Sequence, residues 1–232
     1  MPFLAAAAAR RNSASTDGLL LWFDAASLSG SGPVSSWRSL TGGVVAVSPA
    51  DNSRPVLSQS GLNGRPSLQF DGDNDFLVFP AAAIGSSWRA MIVCSRSGSS
   101  TYGTVLQVLS GTNAQALAVA INNDATQGPV QVSAGSSHVK GGTFGTASPR
   151  ILTISIAAGS LSLKNNGTAS ATSSTTAPHS VSGTQSMIGG ANSSSPSRFF
   201  SGSISEIRVY ESLTAQQEAA EYAALAAKWG LT

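Results

Sequence analysis

Residues 199–232 constrain this chain more than any other stretch. A run of alternating apolar and polar positions, with Ile204, Ile207 and Val209 on its apolar side, leads straight into a helix signalled at both ends. Thr214 is the expected N-cap, and Gln217 three residues on completes the S/T-x-x-E/Q capping box. Glu218 suits the positive end of the helix dipole and Lys228 the negative end. Gly230 then supplies a left-handed stop. Tyr222, Leu225, Ala226 and Trp229 recur at three-to-four spacing, a stripe that must be buried against other elements. A strand followed by one closing helix asks the rest of the chain for sheets on which that helix can lie.

The rest of the chain reads that way. Strand-like runs fall at 19–23, 44–47, 66–70, 76–79, 90–95, 104–109, 116–121, 130–133, 151–157, 160–164, 187–189 and 203–210. Gly and Ser clusters separate them, and Asn165, Asn166 and Gly167 give a hairpin signal after residues 160–164. Many short strands with turns between them predict an all-β, antiparallel two-sheet jelly-roll sandwich with one C-terminal capping helix. Residues 1–17 read as an N-terminal docking arm and residues 18–232 as one jelly-roll domain.

Charged residues make up 10% of the chain, against about 25% in an average soluble protein. A 41% hydrophobic content with net charge +2 still supports folding. The 13 basic and 11 acidic residues form no basic run longer than Arg10-Arg11, which argues against nucleic acid as a partner. No stretch of 18 apolar residues appears, so no membrane-spanning helix is expected. Near the N-terminus the arginines follow the short apolar run instead of preceding it, so an unprocessed intracellular product is expected. Cys94 is the single cysteine and lies in an apolar run, the setting of an inert core thiol.

Several motifs occur together and in order: WFDAA at 22–26, VSSW at 34–37, RPV at 54–56, LNGRPSLQFDGDNDFL at 62–77 and ISEIRVY at 204–210. As a set, with the closing helix, they resemble the concanavalin A-like lectin/glucanase superfamily, specifically laminin-G-like jelly-roll domains of bacterial and phage type. The resemblance spans about residues 18–232, by pattern only over roughly 96–200. It implies two curved antiparallel sheets. Members of the superfamily include lectins, glycanases, adhesion modules and structural parts of phage particles, so the fold alone leaves function open.

Retaining glycoside hydrolysis needs two carboxyl groups about 5 Å apart, and glycanases of the superfamily place them in Glu-x-Asp-x-x-Glu. Here the four Glu are Glu206, Glu211, Glu218 and Glu221, all in the last strand, turn and helix, and none makes that pattern. No catalytic residue is therefore expected. Asp71, Asp73 and Asp75 alternate as hard oxygen ligands for calcium would. A Glu at the twelfth position of such a loop is missing, since Ala82 stands there, and an Asp-capped tight turn explains the same residues. Trp88 and Tyr102 are the large aromatics in polar settings, and so the candidates for stacking on a sugar. Trp22, Trp37 and Trp229 read as core.

Few charges, an Ala-rich arm and no catalytic carboxylates lead to a first reading of a non-enzymatic phage virion component, a capsid decoration or tail/fibre protein. It would be made in the host cytoplasm. Phe3, Leu4, Arg10 and Arg11 would dock it on other virion proteins or on copies of itself, and deleting the arm would abolish assembly. The alternative is a lectin-like carbohydrate-binding module of a bacterial surface or secreted system, with host surface glycans among the partners of either. No cofactor is expected beyond the calcium candidate.

Overall fold

The computed structural model describes residues 18–80, 87–97, 102–109, 114–122, 130–134, 137–141, 144, 148–157, 160–174, 179–180, 185–191, 193 and 195–231. The first strands are β1 (Leu19–Asp24), β2 (Gly32–Pro33), β3 (Ser36–Arg38), β4 (Val45–Val47), β5 (Val56–Leu62) and β6 (Arg65–Asp71). Next come β7 (Leu77–Pro80), β8 (Trp88–Arg96), β9 (Tyr102–Leu109), β10 (Ala114–Asn122), β11 (Val130–Ala134) and β12 (Ser137–Gly141). The last are β13 (Arg150–Ala157), β14 (Ser160–Asn165), β15 (Thr168–Ser174), β16 (His179–Ser180), β17 (Gln185–Ile188) and β18 (Ser201–Tyr210). One helix, α1 (Ala215–Trp229), follows.

The strands form two antiparallel sheets of nine. Sheet A runs β15-β14-β13-β8-β18-β6-β5-β2, with β1 also paired to β18. Sheet B runs β12-β11-β10-β9-β17-β7-β4-β3, with β16 paired to β10. The expected all-β sandwich with one C-terminal helix is what the chain forms.

Side-chain alternation along β8 shows how the layers arise. Trp88, Ala90, Ile92 and Cys94 turn inward to the main core, where Leu106, Val119, Val132 and Ile188 of sheet B meet them. Met91 and Val93 point the other way, into a second core with Tyr210, Leu213, Leu225 and Trp229. The helix stripe read from sequence is therefore buried on the outer face of sheet A. Its N-cap is Thr214, whose side chain accepts from the Gln217 N–H, and its stop is Gly230 at φ 63°.

Two turns explain local sequence choices. Asn166 (φ 48°) and Gly167 (φ 74°) both adopt left-handed angles between β14 and β15, as a two-residue type I′ hairpin requires. Within β18, Gly202 stands so close to β8 that a Cβ there would lie 2.2 Å from the Ser95 carbonyl oxygen. No other residue fits at that crossing.

Candidate functional site

The two outward faces of the sandwich differ in kind. Beneath α1, β1 and β18 bring Asp24, Glu206 and Arg208 against Glu221 and Lys228 of the helix. Glu206, 0% exposed, accepts from Trp22 Nε1, Arg208 Nε, Lys228 Nζ and Trp229 Nε1, each at 2.7 Å. Arg208 also reaches Glu221 through a second guanidinium nitrogen, and Lys228 binds Asp24 Oδ2 at 2.7 Å. Three carboxylates thus meet two cations, and indole and phenol donors satisfy the remaining oxygens. Burial works to lower the Arg208 pKa, but charge and hydrogen-bond interactions with Glu206 and Tyr210 together outweigh it and hold the guanidinium above its ordinary value. Burial also raises the Tyr210 hydroxyl, which stays protonated and donates to Glu221 Oε2 at 2.8 Å.

Glu206 and Glu221 do come to one guanidinium, a meeting the sequence spacing does not disclose. Both are sealed from solvent and held in ion pairs, so no substrate reaches them. A second anchor, Glu218, takes Arg89 Nε at 2.9 Å and Lys164 Nζ. These clusters bind the helix to sheet A.

The outer face of sheet B has no helix over it among the described residues. On β10, Leu117, Val119 and Ile121 point into the core, which turns Ala118 and Ala120 to the outer face, Ala118 half-buried and Ala120 buried. The inward residues Val130, Val132 and Val139 likewise turn Gln131 and Lys140 to the outer face, both half-buried. Gln107 shares that face, opposite Ala118 and Met187.

One transverse row crosses the face. Thr104 pairs with Ala120, Ala120 with Gln131, and Gln131 with Lys140. At its inner end the Thr104 N–H donates to the Arg198 carbonyl oxygen at 2.8 Å. Arg198 is exposed, with its backbone in the left-handed region at φ 56°, a position uncommon for a non-glycine residue. Beside it Phe199 is half-buried, its ring 5.8 Å from that of Phe76. Phe76, Val78 and Met187 form a small apolar cluster with Phe199 packed against it.

The residues singled out from sequence fare differently. Trp88 is 2% exposed and belongs to the main core, so it offers no ring face to a sugar. Its polar neighbours suggest a loop, but it is the first inward position of β8. Tyr102 opens β9 opposite Asn122, and its side chain lies outside the described residues. Phe3, Leu4, Arg10 and Arg11 of the arm also lie outside them.

The Asp cluster folds as a turn. Asp71 Oδ1 accepts from the N–H groups of Asp73, Asn74 and Asp75, and Asp75 Oδ2 accepts from the Asp71 N–H at 3.0 Å. Burial acts to raise the Asp71 carboxyl, but these backbone bonds together hold it below its ordinary value. Among the described residues no group of three His, Cys, Asp or Glu is placed to hold a metal ion. Cys94 is buried, and that burial pushes its thiol far above the ordinary range.

Gln107, Gln131, Lys140, Arg198 and Phe199 are not picked out by motif. Their signal is subtler: a polar residue inside an otherwise apolar strand, as Gln107 stands between Leu106 and Val108.

No family model and no curated protein matches the chain. Solved structures do match. Trypanosoma rangeli sialidase in complex with sialic acid superposes with TM-score 0.64 at 14% identity, over 95% of this chain and 35% of that one. The chain therefore spans about a third of the sialidase. Domain 4 of AbnA, a GH43 extracellular arabinanase from Geobacillus stearothermophilus in complex with arabinotriose, gives TM-score 0.61 at 17% identity. That match covers 86% of this chain and 95% of that domain. The botulinum neurotoxin serotype D binding domain gives 0.61 at 10% identity, over 90% and 51% respectively. At such identities these likenesses establish a shared β-sandwich fold.

Proposed function

We propose that this chain is a non-catalytic, lectin-like carbohydrate-binding module of a bacterial surface or secreted system. The observation that carries this reading is the match to the arabinanase domain, which takes in nearly the whole of that domain as a unit and was solved with an oligosaccharide. Two features support it. The Glu206 and Glu221 carboxylates are closed off under α1, and the outer face of sheet B brings the half-buried Ala118, Gln131, Lys140 and Phe199 to one side of the sandwich. Sugar-binding surfaces use such polar groups to fix orientation and an apolar surface for the ring face. The laminin-G-like resemblance of the motifs points the same way. The virion reading, drawn from few charges, the Ala-rich arm and the lack of catalytic carboxylates, gains no comparable support.

The test is isothermal titration of the full chain against a panel of soluble neutral and acidic polysaccharides. Saturable binding to at least one is expected. Heat changes no greater than dilution across the whole panel would sink the reading.

A further inference from the structure

Two Asn-Gly pairs occur in the chain, Asn63-Gly64 and Asn166-Gly167, and each closes a two-residue hairpin with both backbones in the left-handed region. Residues of α1 touch both turns. At Asn166 the turn is anchored and covered. Asn166 Oδ1 accepts from the Ile151 N–H, and the Asn166 N–H donates to the Ile151 carbonyl oxygen, both at 2.9 Å. The Tyr222 ring lies over Gly167, 3.1 Å from where a Cβ would stand. Asn63 is exposed instead, and a Cβ on Gly64 would meet nothing within 4 Å. Its side chain binds the helix: Nδ2 donates to the Trp229 and Gly230 carbonyl oxygens, at 3.0 and 3.2 Å. Carbonyls at a helix C-terminus have no partner within the helix, so Asn63 caps α1 from another element.

We infer that Asn63-Gly64 is a site of spontaneous deamidation, and that the reaction releases the C-terminal turn of α1. The Gly64 nitrogen attacks Asn63 Cγ, and the new C–N bond closes a five-membered imide. The Cγ–Nδ2 bond breaks, and Nδ2 leaves as ammonia with the proton that Gly64 gave up. Water then opens the imide to an aspartyl or an isoaspartyl residue. An exposed turn with no Cβ at its second position leaves the attacking nitrogen unhindered. The two bonds from Nδ2 open whenever the helix end frays, as terminal turns do. The product carries a carboxylate where the amide donated. That carboxylate faces two carbonyl oxygens and the negative end of the helix dipole, so a capping contact becomes a repulsive one. Lys228 and Trp229 of the same turn both donate to Glu206, so the loosening reaches the ionic cluster beneath α1. The change runs one way, and it ties the docking of the helix to the age of the protein.

The test ages the full folded chain at pH 8 and follows both turns by peptide mapping with mass spectrometry, with isoaspartyl methyltransferase labelling as a second readout. The same chain in urea, where neither turn is protected, gives the reference rates. In the folded protein Asn63 should convert at least tenfold faster than Asn166. Equal rates, faster conversion at Asn166, or an Asn63 that stays intact while the unfolded chain converts overturn the site. Hydrogen exchange at residues 226–231 reads the helix end, and in the aged protein it should be at least fivefold faster than in the fresh one. Asn63→Gly keeps the left-handed backbone and has no amide to lose, so its exchange should not change with age. An equal rise in that variant overturns the inference. Asn63→Asp, also at home in a left-handed turn, should reproduce the faster exchange without ageing. If its last turn is as protected as the parent's, release of the helix is overturned even where Asn63 reacts. Far-UV circular dichroism of each variant separates a loosened turn from a lost fold.

Discussion

The outer faces of sheets A and B start from the same strand alternation and end as opposites. On sheet A the outward residues Met91, Val93 and Tyr210 are apolar or aromatic, and α1 buries them. The charges on that side, Glu206 and Arg208 with Glu221 and Lys228, are matched to one another. On sheet B the outward residues mix the half-buried Ala118, Gln131 and Lys140 with the buried Thr104, Gln107, Ala120, Val78 and Met187, and no helix lies over them among the described residues. A covered face must satisfy every buried charge internally, since a lone one costs several kcal/mol. The contrast explains why Glu206 and Glu221, sealed beneath α1, are structural here.

Substitutions separate the two faces most sharply at the ionic cluster. Glu206→Ala leaves Arg208 and Lys228 without their shared partner and should destabilise the protein by about 3–5 kcal/mol, measured by urea denaturation. Trp88→Ala belongs in the same range, about 3–5 kcal/mol for a buried tryptophan. The portion that still folds should bind sugar as the parent does. Selective loss of sugar binding at parental stability would instead return Trp88 to the binding surface.

A smaller effect concerns the β6–β7 turn, where the chain crosses from sheet A to sheet B. Burial pushes the Asp75 carboxyl up from 3.8 to about 6; its bond from the Asp71 N–H opposes this and the Asp71 charge adds to it. The folded protein therefore holds this proton more tightly than the unfolded chain does. The contribution is present below about pH 4 and is lost as pH rises through about 6. Asp75→Asn should raise the melting temperature at pH 7.5 and leave it little changed at pH 4, as read by differential scanning calorimetry.

The cap and the open face give the smallest changes. Thr214→Ala removes the N-cap acceptor and should cost about 1 kcal/mol. Lys140→Gln should shift stability by no more than ~0.5 kcal/mol, as surface changes usually do. A loss at Lys140 as large as that at Glu206 would erase the distinction between the faces.

Much of the fold was legible from alternation and turn chemistry. The strands carrying bulky apolar residues, the hairpin at Asn166 and Gly167, and the helix from Thr214 to Gly230 all follow from local signals. Strand β15 did not, because Ala and Ser-rich sequence has no apolar alternation, and its place comes from pairing with β14. Strand β5 was passed over for a related reason: Ser58, Gln59, Ser60 and Gly61 interrupt its apolar residues. The place of Trp88 is masked in sequence by Ser86 and Ser87 before it, although it is the first inward position of β8. Glu206 and Arg208 looked like ordinary outward residues of a surface strand. What covers them comes from the helix, and a partner 23 residues away in Trp229 leaves no trace in local pattern.

The pairing of β1 with β18 bears on the order in which this protein can form. Among the described strands Leu19–Asp24 pairs with Glu206–Tyr210, and Asp24 is held by Lys228, 204 positions further along. During synthesis β1 must wait for β18 to leave the ribosome before its ladder forms, although the Leu40 N–H already meets the Trp22 carbonyl oxygen from nearby. Pairings so remote in sequence slow folding, since the loop must close before any contact rewards it. Nascent chains stalled before residue 206 should therefore bind chaperones, and release of the last strand and helix is the event that lets the sandwich close.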